Sequence, residues 1–156
     1  MGDTAEDDVA PDSTALRPKE PSLPLVAIDL LAGRPPQEVE AISAAVHEAM
    51  VEMLGVPERD RFQVVTEHQS RTLRFDPAYL DIDRTEGFVL VRITLARGRS
   101  TDAKRGFYGR LAQLLDDRVG LRTEDLAVIL VEYEREDWSF GRGQASYIEL
   151  PRQAWQ

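Results

Sequence analysis

The sequence contains one internal repeat, at an offset of 65 residues. Gly55-Val-Pro-Glu-Arg-Asp60 is matched by Gly120-Leu-Arg-Thr-Glu-Asp125, and Glu67 is matched by Glu132. Similarity at a fixed offset indicates two copies of one supersecondary unit. Because 156 residues is about the length of one domain, we expect the two copies to share a single core.

Each copy has the pattern of a strand, a helix and a second strand. Apolar residues recur at steps of three and four across 37–54, and Gly55 follows as a C-cap glycine. The second helix begins after Ser100, a good N-cap, and ends at Gly120. Residues 68–87 are polar and irregular. The four strands are predicted at Pro24–Leu30, Phe62–Thr66, Phe88–Leu95 and Leu126–Val131.

Two βαβ units predict an α/β (α+β) fold, with a four-stranded sheet and both helices on one face. Glu67 is expected just after the second strand and Glu132 just after the fourth. The strands are apolar at nearly every position, which is typical of strands buried on both faces. No further long helix is available to cover the second face. We therefore predict that other subunits bury it.

Composition excludes several functional classes. The chain has 28 acidic and 19 basic residues, a net charge of −9, which disfavours general nucleic-acid binding. It lacks a secretory signal pattern and any apolar run near the roughly 20 residues of a membrane span, so we expect a cytoplasmic protein. With no cysteine, and with His47 and His68 not at ligand spacing, we expect no metal site.

The predicted domain has a short tail at each end. Residues 1–23 hold six acids, two bases and three prolines, so we expect a disordered acidic tail. An acidic interaction arm is the alternative for this segment. The folded domain is expected over residues 24–150, and a C-terminal tail over 151–156.

Two segments could bind or transform an anion. Arg97 and Arg99 flank a glycine after the third strand and lead into a helix N-terminus, which favours a carboxylate site. Two solvated arginines are the alternative. Asp60, between two arginines, could exchange protons if burial raised its pKa, or could simply pair with a neighbouring arginine.

Aromatic residues cluster near the C-terminus. Trp138 and Phe140 lie in Asp137-Trp-Ser-Phe-Gly-Arg-Gly143, with Tyr147 beyond, and such rings are expensive to expose. They therefore line a pocket, or form a C-terminal hairpin that docks on a neighbouring subunit, and both can hold. No Ser-His-Asp order, phosphate loop or dinucleotide fingerprint is present.

Together these segments resemble the tautomerase superfamily, and within it the malonate semialdehyde decarboxylase branch. The matching segments are Pro24–Leu30, Gly33-Arg34, Ala44–Met50, Gly55-Val-Pro57, Asp60-Arg61, Arg97-x-Arg99-Ser100 and Asp137–Gly143. The resemblance implies a pair of βαβ units, a homotrimer and a cofactor-independent lyase or isomerase. Its substrate would be a small carboxylate, with malonate semialdehyde decarboxylation as the specific expectation. A keto–enol tautomerase or a hydratase on a 2-oxo or unsaturated acid is the alternative.

The resemblance also implies residue roles. In this family the strand-initial proline is the chain's first residue, and its free secondary amine is the central catalytic group, which here would be Pro24. Arg97 and Arg99 would hold the substrate carboxylate, and Asp60 would position or activate a carbonyl or a water. Trp138 and Phe140 would form an apolar wall that strengthens these charges, with Tyr147 beside them.

The sequence departs from the family pattern at two positions. Phe62 stands where the decarboxylase branch tends to carry a tyrosine. Pro24 is internal here, and an acylated proline nitrogen has neither an N–H nor a basic lone pair. We hypothesise that translation starts at Leu23, because some leucine codons serve as bacterial starts, so that removal of the initiator exposes Pro24. Proteolysis of the tail, or a non-catalytic protein that retains the fold, are the alternatives.

Overall fold

The computed structural model describes residues 23–151. Most of the predicted acidic tail (1–22) and of the C-terminal tail (152–156) lies outside these residues. The regular elements are β1 (Leu25–Leu31), α1 (Pro36–Leu54), β2 (Phe62–His68), β3 (Val89–Ala96), α2 (Thr101–Val119), β4 (Leu126–Tyr133) and α3 (Ser146–Glu149). Single 3-10 turns lie at Tyr79–Asp81, Thr123–Asp125 and Arg135–Asp137.

The internal repeat is visible in the helices. Both α1 and α2 have 19 residues, and their bounds differ by 65 positions at each end. Gly55 and Gly120 end them in the left-handed region, with φ of 66° and 63°. Ser100 caps α2 by accepting a hydrogen bond from the Ala103 N–H at 3.1 Å. The predicted pair of βαβ units is therefore confirmed.

The sheet has the strand order β2-β1-β3-β4. Each unit pairs its own strands in parallel, and β1 and β3 join the two units antiparallel. The start of β1 therefore lies beside the start of β2 and the end of β3, with Leu25 opposite both Phe62 and Thr94. Since Ala96 lies opposite Tyr133, the end of β4 reaches the same edge. We call this the Pro24 edge.

Both helices pack on one face of the sheet, and the core lies between. Val26, Ile28 and Leu30 alternate along β1 and are almost fully buried there. The helices approach closely at Gly106, where an added Cβ atom would lie 2.5 Å from the Met53 Cε. Glycine at this position therefore leaves room for the end of the Met53 side chain.

The opposite, open face of the sheet mixes apolar and charged side chains. Phe62, Val64, Ile129 and Val131 are all about half exposed. Asp29 is only 8 % exposed, and its carboxylate accepts hydrogen bonds from Arg92 at 2.9 Å and from His68 at 2.7 Å. The prediction of strands apolar on both faces is therefore wrong for this face, because strand alternation directs Asp29 and its partners there. Burial of the face by other subunits stays a prediction.

Two local expectations need correction. Glu67 and Glu132 lie within β2 and β4 rather than after them, because each strand continues to residue 68 or 133. The C-terminal segment forms a tight turn and the short helix α3 instead of a hairpin. The long irregular connection after β2 is present as predicted. No helix within residues 23–151 is long and apolar enough to cross a membrane.

Candidate active site

The Leu23–Pro24 peptide bond lies at the Pro24 edge and is held by two tyrosines. The Pro24 side chain is buried, directly before β1. The Tyr133 hydroxyl donates to the Leu23 carbonyl oxygen at 2.9 Å. The Leu23 N–H donates to the Tyr147 hydroxyl oxygen at 3.3 Å. The atoms attached to the Pro24 nitrogen therefore lie between two phenols.

Four rings form a continuous series around this position, which we call the aromatic box. Tyr133 meets Trp138 edge-on at a centroid distance of 5.2 Å. Trp138 stacks on Phe140 at 4.9 Å with 4° between the planes, and Phe140 meets Tyr147 edge-on at 5.2 Å. These are favourable geometries for aromatic pairs. The predicted residues Trp138, Phe140 and Tyr147 are thus brought together with Pro24.

Local hydrogen bonds shape the segment that carries the box. After β4, the Glu134 N–H donates to the Asp137 carboxylate at 2.7 Å, and the Asp137 N–H donates back to the Glu134 carbonyl at 3.1 Å. Ser146, at the start of α3, accepts from the Phe140 N–H at 2.9 Å through its hydroxyl and donates its own N–H to the Trp138 carbonyl at 3.2 Å. These bonds fold the segment back so that α3 brings Tyr147 to the rings.

Asp60 lies in the turn between α1 and β2, at the same edge. Its side chain is half-buried, and this burial raises the pKa of its carboxyl despite the opposing charge of His47. Within residues 23–151 no side chain donates a hydrogen bond to it. The charge of Asp60 in turn helps to raise the pKa of Tyr133 and of Tyr147, so the carboxylate lies within electrostatic reach of the box.

Arg61 does not form an ion pair with Asp60, which the sequence had left as an alternative. Its guanidinium donates to Gln63 at 3.0 Å, to Ser43 at 3.2 Å and to Glu40 at 3.4 Å.

Asp125, the repeat counterpart of Asp60, differs from it in burial and in hydrogen bonding. Asp125 is 2 % exposed and accepts bonds from the N–H and the hydroxyl of Thr85, both at 2.6 Å.

The two predicted arginines take different positions. Arg99 is half-buried, donates to the Leu54 carbonyl at 3.0 Å and to the Ala96 carbonyl at 2.7 Å, and interacts electrostatically with Tyr133. Burial lowers the pKa of Arg99, and Tyr133 is among the groups that oppose this. Arg97 is exposed and donates to the Glu134 carboxylate at 2.7 Å. Arg99 thus lies inside the site and Arg97 at its rim.

Sequence reasoning missed Tyr133. It is 6 % exposed and ends β4, where an apolar strand pattern hides a single phenol. The repeat offers a signal, because the counterpart of Tyr133 at the 65-residue offset is His68, which also carries a polar tip at the end of its strand. Residues 23–151 contain no group of three or more potential metal ligands among histidine, aspartate and glutamate.

Comparisons with known proteins match the described domain. Two family models, both described as tautomerase enzymes, match residues 24–80 and 60–141. The probable tautomerase YusQ of Bacillus subtilis (strain 168) is 35 % identical over 127 residues, which are 81 % of this chain and all of that protein.

Solved structures agree with the sequence matches. A malonate semialdehyde decarboxylase, studied as wild type, as a mutant with its first proline replaced by alanine and in inactivated form, is 35 % identical. The two share a TM-score of 0.72 over 80 % of this chain and 95 % of that one. A fused 4-OT described as a symmetric trimer is 20 % identical, with a TM-score of 0.63 over 77 % and 94 % of the chains, and shares the fold.

Proposed function

The chain belongs to the tautomerase superfamily, and we propose that it is an enzyme for a small oxo-carboxylate whose catalytic group is the amine of Pro24. Decarboxylation of malonate semialdehyde is the specific reaction we propose. One observation carries the proposal: the Leu23–Pro24 bond is held between the hydroxyls of Tyr133 and Tyr147, with Asp60 and Arg99 within electrostatic reach of these tyrosines. The similarity to a malonate semialdehyde decarboxylase at 35 % identity supports it.

The proposed chemistry begins with the proline nitrogen. As a free secondary amine, Pro24 would carry a proton that polarises the carbonyl oxygen of a 3-oxo acid. Loss of carbon dioxide leaves negative charge on that carbonyl, and a nearby cation lowers the barrier. The two tyrosines of the aromatic box are each only 6 % exposed, and their burial lowers the local access of water, which strengthens the interaction.

Asp60 and the arginines complete the proposed site. A carboxylate with few donors around it stays basic, so Asp60 is suited to position or activate a carbonyl or a water. Arg99, fixed by two backbone carbonyls, would orient the substrate carboxylate, and Arg97 would add attraction from the rim. No step in this scheme uses a metal or an organic cofactor.

A keto–enol tautomerase is the second candidate. The name of the relative YusQ, whose full length this chain covers, favours it. The same amine, acid and arginines could move a proton between carbon and oxygen of a 2-oxo acid. A hydratase is the third, since the structural study of the malonate semialdehyde decarboxylase also concerns hydratase activity.

We further propose a cytoplasmic homotrimer. Four half-exposed apolar side chains on the open sheet face support an assembly in which copies of the chain cover that face. A fused 4-OT of the same fold is described as a symmetric trimer. Sedimentation of the chain at micromolar concentration tests this, and a monomer would refute it.

We also propose that the working domain begins at Pro24 and ends near residue 150. The sequence match to YusQ spans 127 of the 156 residues yet covers all of that protein. In the 156-residue form the Pro24 nitrogen is part of a peptide bond and cannot act as an acid or a base. Either a start at Leu23 or proteolysis would release it.

The test compares the 156-residue chain with one that begins at Pro24, its terminus verified by intact mass. Both are assayed with malonate semialdehyde and with an enolisable 2-oxo acid. We expect the shorter chain to be at least 100-fold more active, and Pro24→Ala in that chain to lose most activity. Equal activity of the two lengths would mean that Pro24 is not the catalytic group. Inactivity of both, with carboxylate binding retained, would indicate a non-catalytic protein.

A further inference from the structure

We infer that the Tyr133 hydroxyl is the hydrogen-bond donor to the carbonyl oxygen of the substrate held against Pro24. The inference rests on the proposed function and adds a catalytic residue to it. Tyr133 was not among the site residues that the sequence predicts. Its role follows from what its hydroxyl contacts in the described chain.

The Leu23 carbonyl shows where a substrate oxygen would lie. Its carbon is bonded to the Pro24 nitrogen, and its oxygen is the atom to which Tyr133 donates at 2.9 Å. When Pro24 is the first residue, that carbonyl is gone and the space beside the nitrogen is open. A substrate carbonyl that enters this space places its oxygen where the Leu23 oxygen lies.

The hydroxyl of Tyr133 would then lose this acceptor and keep the neighbouring Tyr147 hydroxyl as a partner. The Tyr133 side chain is nearly buried, packed edge-on against Trp138. A substrate oxygen at this point would restore the bond that the Leu23 carbonyl accepts from Tyr133, so its binding there is favoured. Because the oxygen gains negative charge as the reaction proceeds, the bond strengthens toward the transition state.

The surroundings keep this phenol protonated. Burial first, and then the neighbouring Tyr147 and Asp60, raise the pKa of Tyr133, while Arg99 acts in the opposite sense. A phenol with a raised pKa remains a neutral donor throughout the pH range of most enzymes. Tyr133 therefore donates a hydrogen bond and does not serve as a base.

Tyr147 faces a different atom. Its hydroxyl accepts from the Leu23 N–H, two bonds beyond the carbonyl carbon. It would thus contact the part of the substrate remote from the reacting carbonyl. We expect Tyr133 to affect mainly kcat and Tyr147 mainly KM.

The test uses the chain that begins at Pro24 and three single variants. Tyr133→Phe should lower kcat 100- to 1000-fold, as loss of one donor to a developing oxyanion does, with KM changed less than threefold. Tyr147→Phe should change KM more than kcat. Tyr108→Phe is the matched control, because Tyr108 lies on α2 and is 39 % exposed, and its activity should stay unchanged.

If the Tyr133→Phe chain folds poorly, a second measurement still tests the inference. Replacement of Tyr133 by a difluorotyrosine keeps the ring and the hydroxyl but makes the phenol more acidic. If Tyr133 must stay protonated as a donor, the alkaline limb of the kcat profile moves to lower pH. A purely structural tyrosine would leave that limb in place.

The two proposals fail in different ways. An active Pro24-first chain whose kcat is unaffected by both changes at Tyr133 overturns the inference and leaves the proposed function standing. A Pro24-first chain that folds but is inactive on all the oxo acids overturns the proposed function, and the inference with it. A fall in kcat for Tyr133→Phe together with the shifted limb supports both.

Discussion

Replacing Arg99 and Arg97 separately by alanine should have very different effects on stability, although the sequence presents them as an equivalent pair. Arg99 donates to the carbonyl of Leu54, one of the last residues of α1, and to the carbonyl of Ala96 at the end of β3. The last carbonyls of a helix have no partner within the helix, so Arg99 satisfies one of them and ties α1 to the sheet.

The magnitude follows from these two bonds. A hydrogen bond from a charged donor contributes about 1.5–3 kcal/mol, and partial access of water to a half-buried site reduces this. We expect Arg99→Ala to lower the free energy of unfolding by about 2–4 kcal/mol. The Arg97–Glu134 pair is 64 % and 55 % exposed, so Arg97→Ala should change it by less than about 1 kcal/mol.

Urea unfolding followed by circular dichroism measures both variants, at one protomer concentration because an oligomer's stability depends on it. With a slope of about 1–3 kcal/mol/M, Arg99→Ala should lower the midpoint by at least about 0.7 M. The urea midpoint of Arg99→Lys should lie between those of the unmodified chain and Arg99→Ala, because one ammonium group cannot reproduce the fixed geometry of a guanidinium. Equal midpoints for the two alanine variants would refute the reasoning. The comparison also shows how much lost activity in Arg99→Ala reflects lost substrate contact.

Three further predictions concern Asp60, Asp29 and the helix glycines. Asp60→Asn should abolish activity yet raise the free energy of unfolding at pH 7, because burial raises the pKa of Asp60 and so disfavours its charged form. This gain in stability should vanish below about pH 4, where aspartate in the unfolded chain is also protonated, and a loss of stability at pH 7 would contradict the reasoning. Burial tends to raise the pKa of Asp29, but hydrogen bonds from His68 and Arg92 outweigh this effect and lower the pKa. The stability that this carboxylate contributes is therefore present above about pH 4 and is lost as the pH falls further. In a pH series of melting temperatures, Asp29→Asn should reduce the fall in melting temperature at acid pH. Gly109→Ala should stabilise α2 by about 0.5–1 kcal/mol, because an added Cβ atom there meets no atom within 4 Å. Gly106→Ala should gain less stability or lose some, because Met53 must move. A larger gain for Gly106→Ala than for Gly109→Ala in urea unfolding would contradict this.

The repeat made most of the fold predictable. Apolar steps and glycine caps place both helices within a residue or so of their observed bounds, because Gly55 and Gly120 take the left-handed backbone that ends a helix. The strand ends were less accurate, since β2 and β4 continue through Glu67 and Glu132. A charged residue stays in a strand when its side chain finds a partner, as Glu132 does with Lys104 of α2.

The candidate site was predicted in part. Trp138, Phe140 and Tyr147 could be chosen as aromatic residues among tight-turn glycines, and they do meet beside Pro24. The different environments of Arg97 and Arg99 could not be predicted, because only folding brings the Leu54 carbonyl next to Arg99. Tyr133 was missed for a related reason, since the carbonyl it bonds lies 110 residues away along the chain.

The contrast between Asp60 and Asp125 bears on stoichiometry. A duplicated unit offers two equivalent sheet ends, and each has an acid at the same place in the repeat. The Asp125 carboxylate accepts two hydrogen bonds from Thr85 and so holds a loop in place. No side chain within residues 23–151 donates to Asp60. One protomer should therefore bind one equivalent of an active-site-directed reagent, and three such protomers would hold three sites rather than six.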